Sequence, residues 1–202
     1  MPIVLVLEWH KRGSADGFSS ISLVMPTLQM ACWYKYGLIT NDPFNIYLNF
    51  IQLCISAVFL LSFAYYQPKR TFLVLQLSIL GATLYLLFSF VNLFEGHEKV
   101  EKMSAMAATA QLLGLIGPVN DLKRAINFGH TEYIPASIQY ALLLLNIKWL
   151  IYAFYVANHY MLLATWTGFV INVLTIGLYF IYPPLTWKVP IIGTGPQEKK
   201  IE

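Results

Sequence analysis

Two tryptophans 116 residues apart, Trp33 and Trp149, are each followed three residues on by a tyrosine, Tyr36 and Tyr152. Sixteen residues after each tryptophan stands a small polar residue, Asn49 after the first and Thr165 after the second. An indole presents a flat apolar face, and an amide both donates and accepts hydrogen bonds. Such a set suits a neutral ligand with apolar C–H faces and a rim of hydroxyls, the chemistry of a pyranose. Each tryptophan has a second reading as an interfacial anchor in an aromatic belt. Asn49 has one as an inter-helix hydrogen bond, typically worth about 0.6 kcal/mol.

The remaining chemistry-bearing residues point away from catalysis. The four histidines are scattered through polar connectors, so no Ser/His/Asp, Cys/His or metal-ligand cluster assembles, and the expectation is a non-enzyme with no cofactor, no metal and no nucleic-acid partner. Cys32 and Cys54 both fall inside apolar stretches and read as two inert buried thiols. None of the ten carboxylates lies near the centre of an apolar stretch, so the groups that an intramembrane proton relay would need are missing. Lys148 is the exception among the charges: it stands eight residues, roughly 12 Å, inside the outer end of its span, deep for snorkelling, and is a site candidate on that ground, the alternative being a wet cavity beside Trp149 with no role in binding. Lys35, nearer a helix end, reads as snorkelling.

The elements that position these residues follow from composition. The 202 residues are 57% hydrophobic and 11% charged, with a mean hydropathy of +0.59, and a soluble domain would carry about twice the charge. The apolar residues form long runs, the pattern of helices that cross a lipid bilayer. Six full spans are expected at about 18–39, 43–66, 71–94, 103–126, 133–156 and 160–182. Residues 2–9 are apolar but too short to cross a core that needs about 20 helical residues. Nine of the 13 Lys and Arg sit in HKRGSADG, QPKR, KRAINFGH and the tail, so these connectors are expected in the cytosol. The amino terminus is then outside and the carboxyl tail inside.

The 116-residue offset extends well beyond the tryptophans. It overlays 118–184 on 2–68 without a gap, pairing Pro118 with Pro2, Gly129 with Gly13, Glu132 with Asp16, Tyr182 with Tyr66 and Pro184 with Pro68. Trp and Pro are scarce and mark positions where shape matters, so these matches indicate two copies of one unit. The reading is an all-α membrane protein with a seven-helix plan whose first helix is truncated: two parallel three-helix repeats joined by a linker helix. The first repeat covers 1–68, the linker 71–94, the second repeat 103–184 and a cytosolic tail 185–202. Repeats in one orientation need an intervening span, and 71–94 supplies it. A seven-helix receptor is disfavoured because such receptors are not built from duplicated halves.

Several stretches, GFSS at 17–20, WYKYGLITND at 33–42, Asn49, and TEYIP at 131–135 ahead of Trp149, resemble in order and spacing the SWEET sugar transporters, of the animal type and related to the PQ-loop group. The resemblance covers nearly the whole chain and implies a bidirectional sugar uniporter working by alternating access in a membrane, the plasma membrane first and the Golgi or another endomembrane second. It implies a homo-oligomer and a small-molecule sugar as substrate. It places substrate binding on Trp33, Asn49 and Trp149, with Thr165 where the family has a second asparagine, and gating on Tyr36 and Tyr152. Helix hinges fall on Pro2, Pro118 and Pro135; the fourth falls on Ser22, with Pro26 one turn further along. The short first helix, Ser22 and Thr165 together leave a runner-up, a transport-incompetent subunit that associates with intact homologues.

Overall fold

Residues 2–15, 20–67 and 70–196 are described by a computed structural model in which eight α-helices and no strands occur. In chain order they are α1 (Pro2–Arg12), α2 (Ile21–Thr40), α3 (Pro43–Tyr66), α4 (Thr71–Val91), α5 (Gly96–Gly114), α6 (Ile116–Phe128), α7 (Ala136–Tyr155) and α8 (His159–Ile181). Four of them, α3, α4, α7 and α8, are long and apolar enough to cross a membrane on their own. The sequence reading had six such spans. The difference lies in α2, which carries Gln29 and Lys35, and in the fifth span, which opens on the polar run GHEKVEK and is split near Leu115 into α5 and α6. That span also begins at Gly96, earlier than the apolar run suggests.

The chain forms two compact units, Met1–Gly114 and Leu115–Glu202. In the first, α2 packs mainly on α3 and α5, α3 also takes α1, and α4 lies against α2 and α5. The stripe that α5 buries is made of Met103, Ser104, Ala107, Ala108 and Ala110, small residues that let helix backbones approach closely where lipid gives no hydrophobic drive to pack. A second cluster gathers Trp9 and Phe63, edge to face at 5.4 Å, with Ala15, Val24 and Leu73. The sharp corner between α2 and α3 depends on Gly37: a Cβ there would stand 3.0 Å from both Asn45 Cβ and the Ile46 nitrogen. Beyond the corner, Asp42 accepts hydrogen bonds from the Phe44 and Asn45 amides and Pro43 takes the first helical position, so α3 starts with its free N–H groups satisfied.

In the second unit α7 and α6 both pack on α8. Met161, Ala164, Thr165, Gly168, Asn172, Thr175, Leu178 and Tyr179 recur at three- and four-residue intervals and form the buried face of α8. After Ile181 the chain folds back onto its own unit. The Glu132 carboxylate accepts from the Leu185 and Thr186 amides (2.6 and 3.0 Å) and from the Thr186 hydroxyl. The Thr194 hydroxyl donates to Tyr179 O, Tyr140 OH donates to Pro190 O, and Val189 is buried with Tyr179, Ile134 and Ala125.

The 116-residue offset is written in the backbone. Asn41 and Ala157 both adopt the left-handed region (φ 53° and 52°), Gly13 and Gly129 do so at 69° and 67°, and the helix-starting residues Asp42 and Asn158 have φ, ψ of −91°, 101° and −93°, 103°. A left-handed non-glycine residue is uncommon, so two of them at matched positions are strong support for a repeated unit. The helices pair as α1 with α6, α2 with α7 and α3 with α8.

One expectation fails here. Cys32 is buried in α2 as anticipated, but Cys54 is exposed. It lies among Phe50, Ile51, Ile55 and Val58 on the outward face of α3, a lipid-type surface that an apolar run does not distinguish from a core.

Candidate functional site

In the first unit the Trp33 ring meets Tyr36 edge to face at 5.5 Å and 83°. The second unit repeats the pair: Trp149 and Tyr152 stand at 5.7 Å and 81°. Three residues apart on a helix, the two side chains share one face, and in both units they lie in the last two turns. Trp33 and Tyr36 are buried, and the Trp33 Nε1–H donates to Gln111 Oε1 of α5 at 2.9 Å. Trp149 and Tyr152 are half-buried. The Lys148 ammonium lies 5.9 Å from the Trp149 ring centroid, within cation–π range. Lys35 has a similar aromatic neighbour in Phe88, at 5.7 Å.

Asn49 is 3% exposed and heads a polar ladder on the first two turns of α3. Its Nδ2 donates to Asn45 O at 2.9 Å and Asn45 Oδ1 at 3.3 Å, and Asn45 Nδ2 donates to Asp42 Oδ2 at 2.6 Å. With the nitrogen of Asn49 committed to its own helix, its carbonyl oxygen is the atom left to accept from a ligand hydroxyl. Thr165, at the equivalent position of α8, is 2% exposed, and its hydroxyl enters none of the described hydrogen bonds. The second unit therefore has a shorter polar group where the first has an amide.

The five positions expected to act as hinges fall in different settings. Pro118 sits in the first turn of α6, just after the break at Leu115, and Pro135 is the residue before α7 with extended φ, ψ of −69° and 122°. Proline is well tolerated at both places because no intrahelical N–H bond is due there. Pro2 opens α1 and Ser22 lies in the first turn of α2. Pro26 is inside α2, where its missing N–H leaves the carbonyl four residues back without a helical donor.

Four residues that bear on the site escape a reading of the sequence alone. Gln111 and Asn45 orient Trp33 and Asn49, but the residue 116 positions from Asn45 is Met161, and for Gln111 that offset falls outside the chain. Gln139 and Asn172 form a buried polar pair between α7 and α8, and their repeat equivalents are Leu23 and Ser56. The repeat, which found the tryptophans, is silent on features present in one copy only.

The family described as "Sugar efflux transporter for intercellular exchange" matches residues 2–71 and 101–186. Among curated proteins, "Bidirectional sugar transporter SWEET13" of Oryza sativa subsp. japonica is 26% identical over 206 residues, covering 98% of this chain and 68% of that protein. "Sugar transporter SWEET1" of Mus musculus is 21% identical over 177 residues, covering 87% and 80%. A solved structure of a eukaryotic SWEET transporter is similar with a TM-score of 0.83 at 14% identity, over 90% of this chain and 87% of that one, which shows a shared fold. With both triple-helix stretches matched and a tryptophan–tyrosine pair of one geometry in each, this chain belongs to the SWEET family of sugar transporters, which are membrane transporters and not enzymes.

Proposed function

We propose that this chain is a bidirectional sugar uniporter that lets a mono- or disaccharide move down its gradient by alternating access. The observation that carries the proposal is the recurrence of one aromatic pair in both repeats together with the buried amide of Asn49, whose nitrogen is held by Asn45, which leaves its oxygen to serve as an acceptor. Trp33 and Trp149 supply apolar faces for sugar C–H surfaces, Asn49 and Thr165 the polar contacts, and Tyr36 and Tyr152 the gate at the outer helix ends. Pro2, Ser22, Pro26, Pro118 and Pro135 serve as hinge positions, with Pro26 the one whose missing N–H weakens a helix interior. The repeats run over 1–68 and 103–184, with 71–94 as linker and 185–202 as tail. The amino terminus lies outside and the tail in the cytosol, in the plasma membrane, and the working form is a homo-oligomer.

The test is counterflow of radiolabelled D-glucose and sucrose in vesicles reconstituted with the purified chain. Exchange should follow the sugar gradient in both directions and be the same with and without an imposed proton gradient. Sugar accumulation that needs the proton gradient refutes uniport, and absence of exchange for both sugars refutes the transport reading.

A further inference from the structure

The buried face of α8 carries a polar group that the tryptophan–asparagine pattern leaves unused. Asn172 is 4% exposed, near the middle of α8, two turns and roughly 10 Å beyond Thr165 on the same helix face. Its Nδ2 donates to Gln139 Oε1 at 2.7 Å and to Gln139 O at 3.2 Å. A backbone carbonyl only accepts, so the amide nitrogen must face Gln139 and the side-chain oxygen must face away from it. That oxygen is buried and has no hydrogen-bond partner among the described residues. Native proteins leave few such groups, and each calls for an explanation in terms of strain, function or a bound molecule. Close by on the same buried face, the Thr175 hydroxyl donates back to Ile171 O, which leaves its oxygen with acceptor capacity.

We propose that Asn172, oriented by Gln139, is a second hydrogen-bonding station for sugar hydroxyls, deeper along α8 than Thr165. The inference rests on the sugar-transport reading above and adds a residue to it. A buried orphan acceptor selects for a neutral O–H donor: a carboxylate ligand would be repelled, and a cation would have to be desolvated with no charge to balance it. A hydroxyl-rich ligand moving along α8 would exchange a contact at Thr165 for one at Asn172, and this second repeat, which lacks an amide at Thr165, would thereby regain one.

The experiment uses D-glucose and its monodeoxy analogues in the counterflow assay, with wild type, Asn172→Leu and Gln139→Leu/Asn172→Leu compared at equal amounts of protein in the vesicles. The loss of a buried contact should raise the half-saturating glucose concentration about fivefold or more in Asn172→Leu. Wild type should disfavour at least one monodeoxyglucose by a similar factor, and Asn172→Leu should handle that analogue and glucose alike. The double variant removes both polar partners and leaves no orphan, which is close to neutral for packing, so it should fold and still show the raised half-saturation. It is also the variant to read if Asn172→Leu does not reach the membrane. Glucose exchange that is normal in Asn172→Leu, or restored in the double variant, overturns the inference and makes the pair a helix–helix contact or a seat for a water molecule, while leaving the transport reading intact. Absence of glucose exchange in wild type overturns both.

Discussion

Replacing Gln111 by leucine isolates what holds Trp33 in place. Gln111 Oε1 accepts the one hydrogen bond an indole can donate, at 2.9 Å, and Trp33 is buried between α2 and α5. Leucine keeps roughly the volume and removes the acceptor, so the Nε1–H is left buried and unpaired, a penalty of about 1–3 kcal/mol. For a chain of this size, each kcal/mol moves a thermal midpoint by about 2–4 °C. Gln111→Leu should therefore melt several degrees below wild type when aggregation on heating in detergent is followed. Glucose exchange should also weaken, because the ring loses the bond that fixes its angle. The control is Trp33→Phe, which has no N–H to satisfy: in Gln111→Leu/Trp33→Phe the penalty disappears, and the double variant should melt near Trp33→Phe alone. A Gln111→Leu protein as stable as wild type, or a double variant that shows the full sum of the two losses, would refute the claim that this hydrogen bond positions the ring.

Three further expectations follow from contacts elsewhere. Gly37→Ala places a methyl 3.0 Å from Asn45 Cβ and the Ile46 nitrogen and should cost about 1–3 kcal/mol of stability, read as a lowered thermal midpoint; an unchanged midpoint would mean that the α2–α3 corner yields freely. The Glu132 carboxyl is held below the usual carboxylate range, first by the Thr186 hydroxyl and then by the Thr186 and Leu185 amides, so the docking it provides is fully present above about pH 4.3 and is lost as pH falls through the lower folded value. Hydrogen exchange at Leu185 and Thr186 should thus be slow at neutral pH and fast in Glu132→Gln at the same pH, and equal protection in the two would contradict it. For topology, an epitope after Glu202 should be reached by antibody only in permeabilised cells and one at Gly96 in intact cells; the reverse pattern would invert the orientation.

The parts of this fold legible in the sequence are those written twice. Trp33 and Trp149, and Gly13 and Gly129, recur at 116 residues, and the two glycines make the same left-handed turn in each copy. The long apolar runs were legible too: α3, α4, α7 and α8 are long and apolar enough to cross a membrane. What stayed hidden depends on tertiary context. The polar opening GHEKVEK carries α5 back to Gly96, ahead of Met103 where the apolar run begins. Cys54 faces outward because helix rotation, not apolarity, decides which side of α3 meets the core. The docking of 185–195 was invisible because it depends on Glu132, fifty residues back, meeting two backbone amides. Gln111, Asn45 and Asn172 were hidden for the same reason: single-copy residues become part of a site only when the helices are packed.

The central claim, that the repeated aromatic pair and the Asn49 amide handle sugar, is tested most directly by D-glucose counterflow in vesicles holding equal amounts of wild type, Asn49→Ala and Thr165→Asn. One buried polar contact is worth about 1–3 kcal/mol, a roughly 5- to 150-fold change in affinity. The account predicts that Asn49→Ala raises half-saturation into that range and that Thr165→Asn, which restores an amide to the second repeat, lowers it. Exchange unaltered in Asn49→Ala, or abolished in Thr165→Asn, would contradict it and assign both positions to helix packing.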